Sequence, residues 1–83
     1  MTFGVYAIRD AKTGFLSPTI DSSDAVAVRN FNSAIMRSDG LMLTHCDDFS
    51  LYHIGSYDTD SAAITPLSVP LYLASGSDAM KGG

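Results

Sequence analysis

Positive charge is scarce in this sequence. The 83 residues include five lysines and arginines against nine acidic residues, which gives a formal net charge of −4 at pH 7. General attraction to nucleic acid is driven by lysine and arginine side chains that neutralise phosphates. The charge balance therefore argues against a protein that binds nucleic acid through its overall charge.

Cysteine and long apolar runs are scarce as well. The single cysteine, Cys46, cannot form a disulfide within the chain, which favours a reducing, intracellular setting. The N-terminal stretch MTFGVYAIRD lacks the basic region and the long apolar run of a signal peptide. No apolar run approaches the roughly 20 residues of a membrane span. We therefore expect an intracellular protein without a membrane segment.

Motifs for phosphate binding, metal binding and catalysis are missing too. There is no glycine-rich phosphate loop, and the one group of metal-ligating residue types is His45, Cys46, Asp47, Asp48 and His53. Its spacing matches no usual zinc pattern. Cys46 has His45 as its neighbour, but adjacent residues in an extended chain point apart, so no base is placed on the thiol. We expect no metal, no cofactor and no enzymatic activity.

The residues that are present predict one small folded domain. The composition is 46% hydrophobic and 17% charged, which is typical of a folded chain and not of a disordered one. A core of this size is marginally stabilising, and the surplus of apolar residues favours a homo-oligomer. We expect a single domain over residues 1–74 and a flexible, glycine-rich tail over 75–83.

Alternating patterns predict strands on both sides of one helix. Residues 3–9 read as a central strand and residues 15–20 as its antiparallel partner, with Pro18 favouring an edge or irregular position. Residues 49–58 form the strongest later strand, in which Leu51, His53 and Tyr57 are expected to share a face. Residues 62–65 pair back as a hairpin, and the alternating segment over 66–73, interrupted by two prolines, is an edge strand or a docking segment.

The clearest element is an amphipathic helix over residues 21–37. Asp21, Ser22 and Ser23 are all suitable N-caps, and Gly40 fits a C-terminal cap after it. Apolar residues at helical spacing form one stripe: Ala27, Val28, Phe31, Ala34 and Ile35. A loop with an extended apolar start is expected over 41–48. The order is β-β-α-β-β, which predicts an α+β fold: a small antiparallel sheet with one helix packed on one face.

Four of the five cations fall in the first half of the chain. Arg9 and Lys12 lie at the first predicted hairpin. Arg29 and Arg37 lie about 80° apart around the helix axis and two turns apart along it, where they form a polar strip able to contact phosphates. Tyr6 and Tyr52 are candidate stacking surfaces for single-stranded bases. The alternative is a solvated helix face with tyrosines that fill a sheet, and the acidic balance favours that alternative.

Several segments in order resemble the small nonstructural, DNA-binding proteins of gokushovirus-type microviruses, phages with single-stranded DNA genomes. They are YAIRDAKTGFLSP at residues 6–18, SSDAVAVRNFNSAI at 22–35 and DDFSLYHIGSYDTDSAAI at 47–64. The resemblance covers residues 3–73, and its strength is the ordered series of segments. The chain departs from the family pattern at 38–45, where SDGLMLTH stands in place of an asparagine- and proline-rich segment.

This resemblance implies a role in making or packaging the single-stranded genome, in the cytoplasm of the bacterial host cell. It implies single-stranded DNA as partner, and Arg29 aligns with the arginine of the family's helix pattern. The alternative is a protein–protein adaptor of the phage replication or assembly complex, which contacts the replication initiator, the procapsid or a host factor without binding DNA. The apolar surplus, the C-terminal edge with its prolines and the acidic balance favour the adaptor.

Overall fold

The computed structural model of the chain describes residues 1–37 and 45–80, without the side chains of residues 79 and 80. The elements are β1 (Thr2–Asp10), β2 (Gly14–Phe15), β3 (Thr19–Asp21), α1 (Asp24–Arg37), a 3-10 turn (Cys46–Asp48), β4 (Phe49–Asp58), β5 (Ile64–Ser75) and α2 (Gly76–Met80). The predicted α+β class and the β-β-α-β-β order are confirmed, with the second predicted strand divided into β2 and β3. No helix in the described part is long and apolar enough to cross a membrane.

All strand pairs are antiparallel, and β1 and β4 occupy the centre of the sheet. β2 and β3 pair with the two ends of the same edge of β1, and β5 forms the opposite edge. Between β2 and β3, Leu16 still donates its backbone N–H to the Ile8 carbonyl at 2.8 Å. The chain then leaves the ladder at Ser17 and Pro18, since Pro18 has no N–H to donate. The predictions of a central first strand and of an irregular partner edge are therefore confirmed.

α1 begins where the sequence supplies a cap. The Ser23 hydroxyl accepts a hydrogen bond from the Val26 backbone N–H at 3.2 Å, which satisfies one of the amide groups that the first turn leaves unpaired. The helix starts at Asp24, three residues after the predicted start. Ala27, Phe31 and Ile35 are buried as predicted, but Ala34 is exposed, because the chain opposite it is the segment that leaves the sheet edge.

The core lies between α1 and one face of the sheet. Its buried members are Tyr6, Ala27, Phe31, Ile35, Phe49, Leu51 and Ala74. They come from β1, α1, β4 and β5, so the helix holds together strands that are far apart in sequence. Truncating a fully buried anchor such as Ile35 to alanine should cost about 2–5 kcal/mol, because the removed methyl groups leave a cavity.

A bulge in β4 changes which residues share a face. Tyr6 pairs with His53 and Val5 with Gly55, so Ile54 is an extra residue with no partner on β1. After the bulge, Tyr57 pairs with Phe3, on the face opposite Tyr6. The prediction that Tyr57 shares a face with Leu51 and His53 is therefore wrong, because strict alternation does not survive an inserted residue.

The C-terminal residues up to 80 form regular structure where the sequence suggested a flexible tail. α2 packs against α1 and the 3-10 turn. Gly76 is buried there, and a Cβ at this position would overlap the carbonyl oxygen of Cys46, so only glycine allows so close an approach. The predicted cap Gly40, the start of the loop over 41–48 and residues 81–83 lie outside the described residues.

Candidate nucleic-acid interface

The face of the sheet that points away from α1 is uncovered, and we call it the open face. Tyr6 and Ile8 of β1 pack against the core on the α1 side, so Val5, Ala7 and Arg9 point to the open face. Val5 and Ala7 are nevertheless buried, 5% and 3% exposed. Larger side chains from neighbouring strands must therefore cover them.

Ile20 lies beside Val5, and the larger side chains around Ala7 are aromatic. Phe15 of β2, Tyr52 of β4 and Tyr72 of β5 form what we call the aromatic row. The ring centroids of Phe15 and Tyr52 are 5.5 Å apart, those of Tyr52 and Tyr72 are 5.8 Å apart, and each pair meets edge to face at 79° and 78°. Ala7 pairs directly with Tyr52, and its small side chain allows the Phe15 ring to approach across β1. Phe15 and Tyr72 remain 48% and 55% exposed, so the row presents apolar rings to solvent.

Charge on the open face is limited to one end of the aromatic row. Arg9 is exposed and pairs with Phe15 on one side and Ser50 on the other. The acidic residues of the same strands point the other way: Asp10 pairs with the core residue Phe49, and Asp21 pairs with Gly4, which lies under the Tyr6 ring. Among the described strand residues that pairing assigns to the open face, Arg9 carries the only charge.

The six residues predicted from the sequence do not form one surface. Lys12 lies at the tip of the β1–β2 hairpin, shortly after Arg9 in the sequence. The Asp10 carboxylate holds this tip. Its oxygens accept hydrogen bonds from the Lys12 backbone N–H at 2.9 Å and from the Thr13 hydroxyl at 3.1 Å. Arg29 and Arg37 are exposed on α1, across the sheet from Arg9. The structure therefore places Arg9 and Tyr52 on the open face and Lys12 at the hairpin tip, and it separates all three from the two helix arginines.

Tyr6 lies in the core, where it is 1% exposed, so its ring has no face open to a base and it leaves the predicted stacking set. Its hydroxyl donates a hydrogen bond to Asp24 Oδ1 at 2.6 Å, and its ring stacks on His53 with centroids 5.0 Å apart. Burial raises the pKa of Tyr6 well above its ordinary value, and the hydrogen bond to the Asp24 carboxylate raises it further.

His53 completes this polar cluster under the start of α1. Its Nε2 lies 2.7 Å from the Gly55 carbonyl oxygen, which can only accept, so Nε2 carries the hydrogen. Its Nδ1 lies 3.9 Å from Asp24 Oδ1. The cluster ties β1 and β4 to the first turn of α1. No group of three metal-ligating side chains lies together within residues 1–37 and 45–80.

The sequence did not single out Phe15 and Tyr72, the two exposed rings of the aromatic row. Phe15 was assigned only to a return strand, and Tyr72 stands in the segment interrupted by prolines. An available signal was that both are aromatic residues in strands that are expected at sheet edges. Which edge each strand takes, and which residues then meet across β1 and β4, is decided by register and bulges, and local alternation does not reveal these.

A protein-family model described as phage ORF5 protein matches residues 3–79. No curated protein and no solved structure matches the chain. The family match includes nearly all of β1, the edge strands β2, β3 and β5, α1, the central strand β4 and most of α2. Because the match extends over almost the whole chain, this protein belongs to the phage ORF5 protein family.

Proposed function

We propose that this phage protein is a nonstructural accessory protein of a gokushovirus-type microvirus that binds single-stranded DNA on the open face. It acts in genome synthesis or packaging in the cytoplasm of the host cell, as a binding protein and not as an enzyme. The observation that carries the proposal is the aromatic row with Arg9 at its end. The resemblance to microvirus proteins supplies the single-stranded genome as the ligand.

Exposed rings on an uncovered sheet suit unpaired bases. A base stacked on an aromatic side chain contributes about 1–3 kcal/mol, and the contact tolerates any sequence because every base has a flat face. Phe15 and Tyr72 are the two most exposed rings of the row, so each is a candidate platform for one base. Tyr52 lies between them and holds both by edge-to-face contacts. Duplex DNA keeps its bases stacked inside, which favours the single strand as ligand.

The position of the acidic residues reduces their repulsion of a strand on this face. Asp21 and Asp24 accept hydrogen bonds from Asn30 and Tyr6 on the α1 side of the sheet. Asp10 points to the same side, and its carboxylate is held by the backbone and hydroxyl groups of the hairpin tip. Charges separated by more than about 10 Å in 0.1 M salt are largely screened. Arg9 and Lys12 are then the nearest cations for phosphates. Because they are only two, stacking and not charge should supply most of the affinity.

The test is a salt titration of binding to a labelled oligothymidylate, followed by fluorescence anisotropy. Each phosphate neutralised on a single strand contributes a slope of about −0.7 in log K against log salt, so two contacts predict a slope of about −1.4. Arg9→Ala should halve that slope. Tyr72→Ala should weaken binding about fivefold or more at every salt concentration, because it removes a platform but no charge.

Arg29→Ala is the matched control, an arginine removed from the helix on the other side of the sheet. It should bind oligothymidylate as the wild type does. Failure of the wild type to bind at low salt would refute the proposal. An equal loss of affinity in Arg9→Ala and Arg29→Ala would move the site away from the open face.

The adaptor remains the second candidate, and the surface of β5 favours it. Ile64, Val69, Leu71 and Tyr72 are 54–66% exposed on this edge strand. An edge strand with large apolar side chains is a surface on which a second chain can add a strand or pack. The four cations Arg9, Lys12, Arg29 and Arg37 also fail to gather on one face, which favours the adaptor over DNA binding through charge.

Light scattering on the purified protein and pull-down from infected cells test the adaptor. A homo-oligomer that captures the replication initiator or a procapsid protein, and does not bind oligothymidylate, would support it. A monomer that captures neither phage protein would exclude it.

A further inference from the structure

A pocket opens between α1 and the broken sheet edge, on the side of the molecule opposite the open face. Its volume is about 160 Å³. The floor consists of the core side chains Ile8, Phe31 and Leu51. The pocket exists because the chain leaves the ladder between β2 and β3, and because the helix presents the small side chains Ala27 and Ala34 at this point. An apolar cavity of about 150 Å³ accepts benzene, so one six-membered ring or one branched aliphatic side chain fits.

The rim of the pocket is polar and negatively charged. Asp21 Oδ1 accepts a hydrogen bond from Asn30 Nδ2 at 3.0 Å, which fixes both side chains at the mouth. Within the described part of the chain, Asp21 forms no salt bridge and its Oδ2 accepts no hydrogen bond. Ser17 and Thr19 also line the pocket and add hydroxyl groups. The rim therefore offers oxygen acceptors and an unpaired negative charge above an apolar floor.

We propose that this pocket binds a protein partner through an aromatic or branched apolar side chain that is followed by a lysine or arginine. The apolar side chain fills the cavity, and the cation reaches the free oxygen of Asp21. Charge complementarity selects this occupant, because a nucleotide would bring a phosphate next to the Asp21 carboxylate. The proposal does not depend on DNA binding, since the open face lies on the other side of the sheet.

Three probes that each carry a phenyl ring and differ in charge test both the apolar cavity and the Asp21 carboxylate. They are 2-phenylethylammonium, 2-phenylethanol and 3-phenylpropionate, titrated into isotopically labelled protein with amide shifts as the readout. The amides of Ala27, Asn30 and Ala34 should shift in the order cation, neutral, anion. A unit charge a few ångströms from a carboxylate near the surface should separate cation from anion roughly tenfold in affinity. In Asp21→Asn this difference should disappear while the neutral probe still binds.

Ala34→Leu provides a second, independent variant. Ala34 is exposed at the rim, so the larger side chain can fill the pocket without disturbing the buried stripe, and all three probes should lose binding. Ala25→Leu is the matched control, the same substitution on an exposed helix position away from the pocket. The proposal is overturned if no probe shifts the pocket amides or if the anion binds as well as the cation. It is also overturned if thymidine monophosphate binds there better than 2-phenylethylammonium, which would assign the pocket to a nucleotide.

Discussion

Tyr6 stabilises the fold, although a tyrosine in a strand also suggests a binding surface. Its ring fills the core beneath α1, and its hydroxyl reaches the Asp24 carboxylate in the first turn of the helix. A tyrosine in a strand is equally suited to a core and to a stacking surface, because it has an apolar body and a polar tip. The face of the strand decides between these roles. Tyr6 faces α1, whereas Tyr52 faces away from it.

The Tyr6→Phe variant tests the role of this hydroxyl. At neutral pH it should lower the free energy of unfolding by about 1 kcal/mol, since a partly buried hydrogen bond is lost. The folded state raises the pKa of Tyr6 above its unfolded value of about 10. Stability from this group is therefore complete below pH 10 and is lost as the pH rises above it, because only the unfolded chain ionises there.

Chemical denaturation between neutral and strongly alkaline pH measures this effect. The wild type should lose stability above pH 10 more steeply than Tyr6→Phe does. Tyr72→Phe, which removes a hydroxyl from an exposed ring, should keep the wild-type slope. Identical slopes for the wild type and Tyr6→Phe would show that the ionisation of Tyr6 does not contribute.

At the scale of elements, α1 depends on a cap that the sequence could only narrow down. Asp21, Ser22 and Ser23 are chemically equivalent candidates, and the Ser23 hydroxyl is the one that reaches the Val26 amide. The Asp21 carboxylate instead accepts a hydrogen bond from the Asn30 side chain, further along the helix. Ser23→Ala should therefore lower the midpoint of thermal unfolding and cost about 1 kcal/mol.

Ser22→Ala is the matched control for that cap. Ser22 is exposed and forms none of the hydrogen bonds described for the start of α1, so its replacement should change stability by less than about 0.5 kcal/mol. Equal losses of stability in the two variants would mean that both serines cap α1 or that Ser23 is not the cap.

The elements most regular in sequence were the most predictable. The apolar stripe of α1 and the alternation in β1 and β4 identified each element, because burial of one face demands that spacing. The bulge at Ile54 and the register shift of β5 between Pro66 and Leu71 could not be predicted from the sequence. Each depends on how two strands pair, and the pattern of a single strand does not contain that information. α2 was missed because its small, polar residues are held by packing at Gly76 and not by helix propensity.

The whole molecule presents two unlike surfaces on opposite sides of one sheet. The open face carries exposed rings and Arg9, whereas the α1 side carries a pocket with an acidic rim. The sequence singled out Arg9 and Tyr52, which lie on the open face, together with Arg29 and Arg37, which do not, because it had no means to tell which side of the sheet the helix covers. The net charge of −4 belongs to the whole chain. It does not give the local charge of either surface, because the charged residues are distributed unevenly between them.

The central claim is that single-stranded DNA lies on the open face, and amide chemical-shift mapping with a short oligothymidylate tests it most directly. We expect shifts that change with added DNA at Ala7, Arg9, Phe15 and Tyr72, with the amides of α1 unchanged. Shifts confined to α1 around Arg29 and Arg37 would contradict this account. So would a spectrum that does not change at low salt, and the protein would then be better explained as an adaptor.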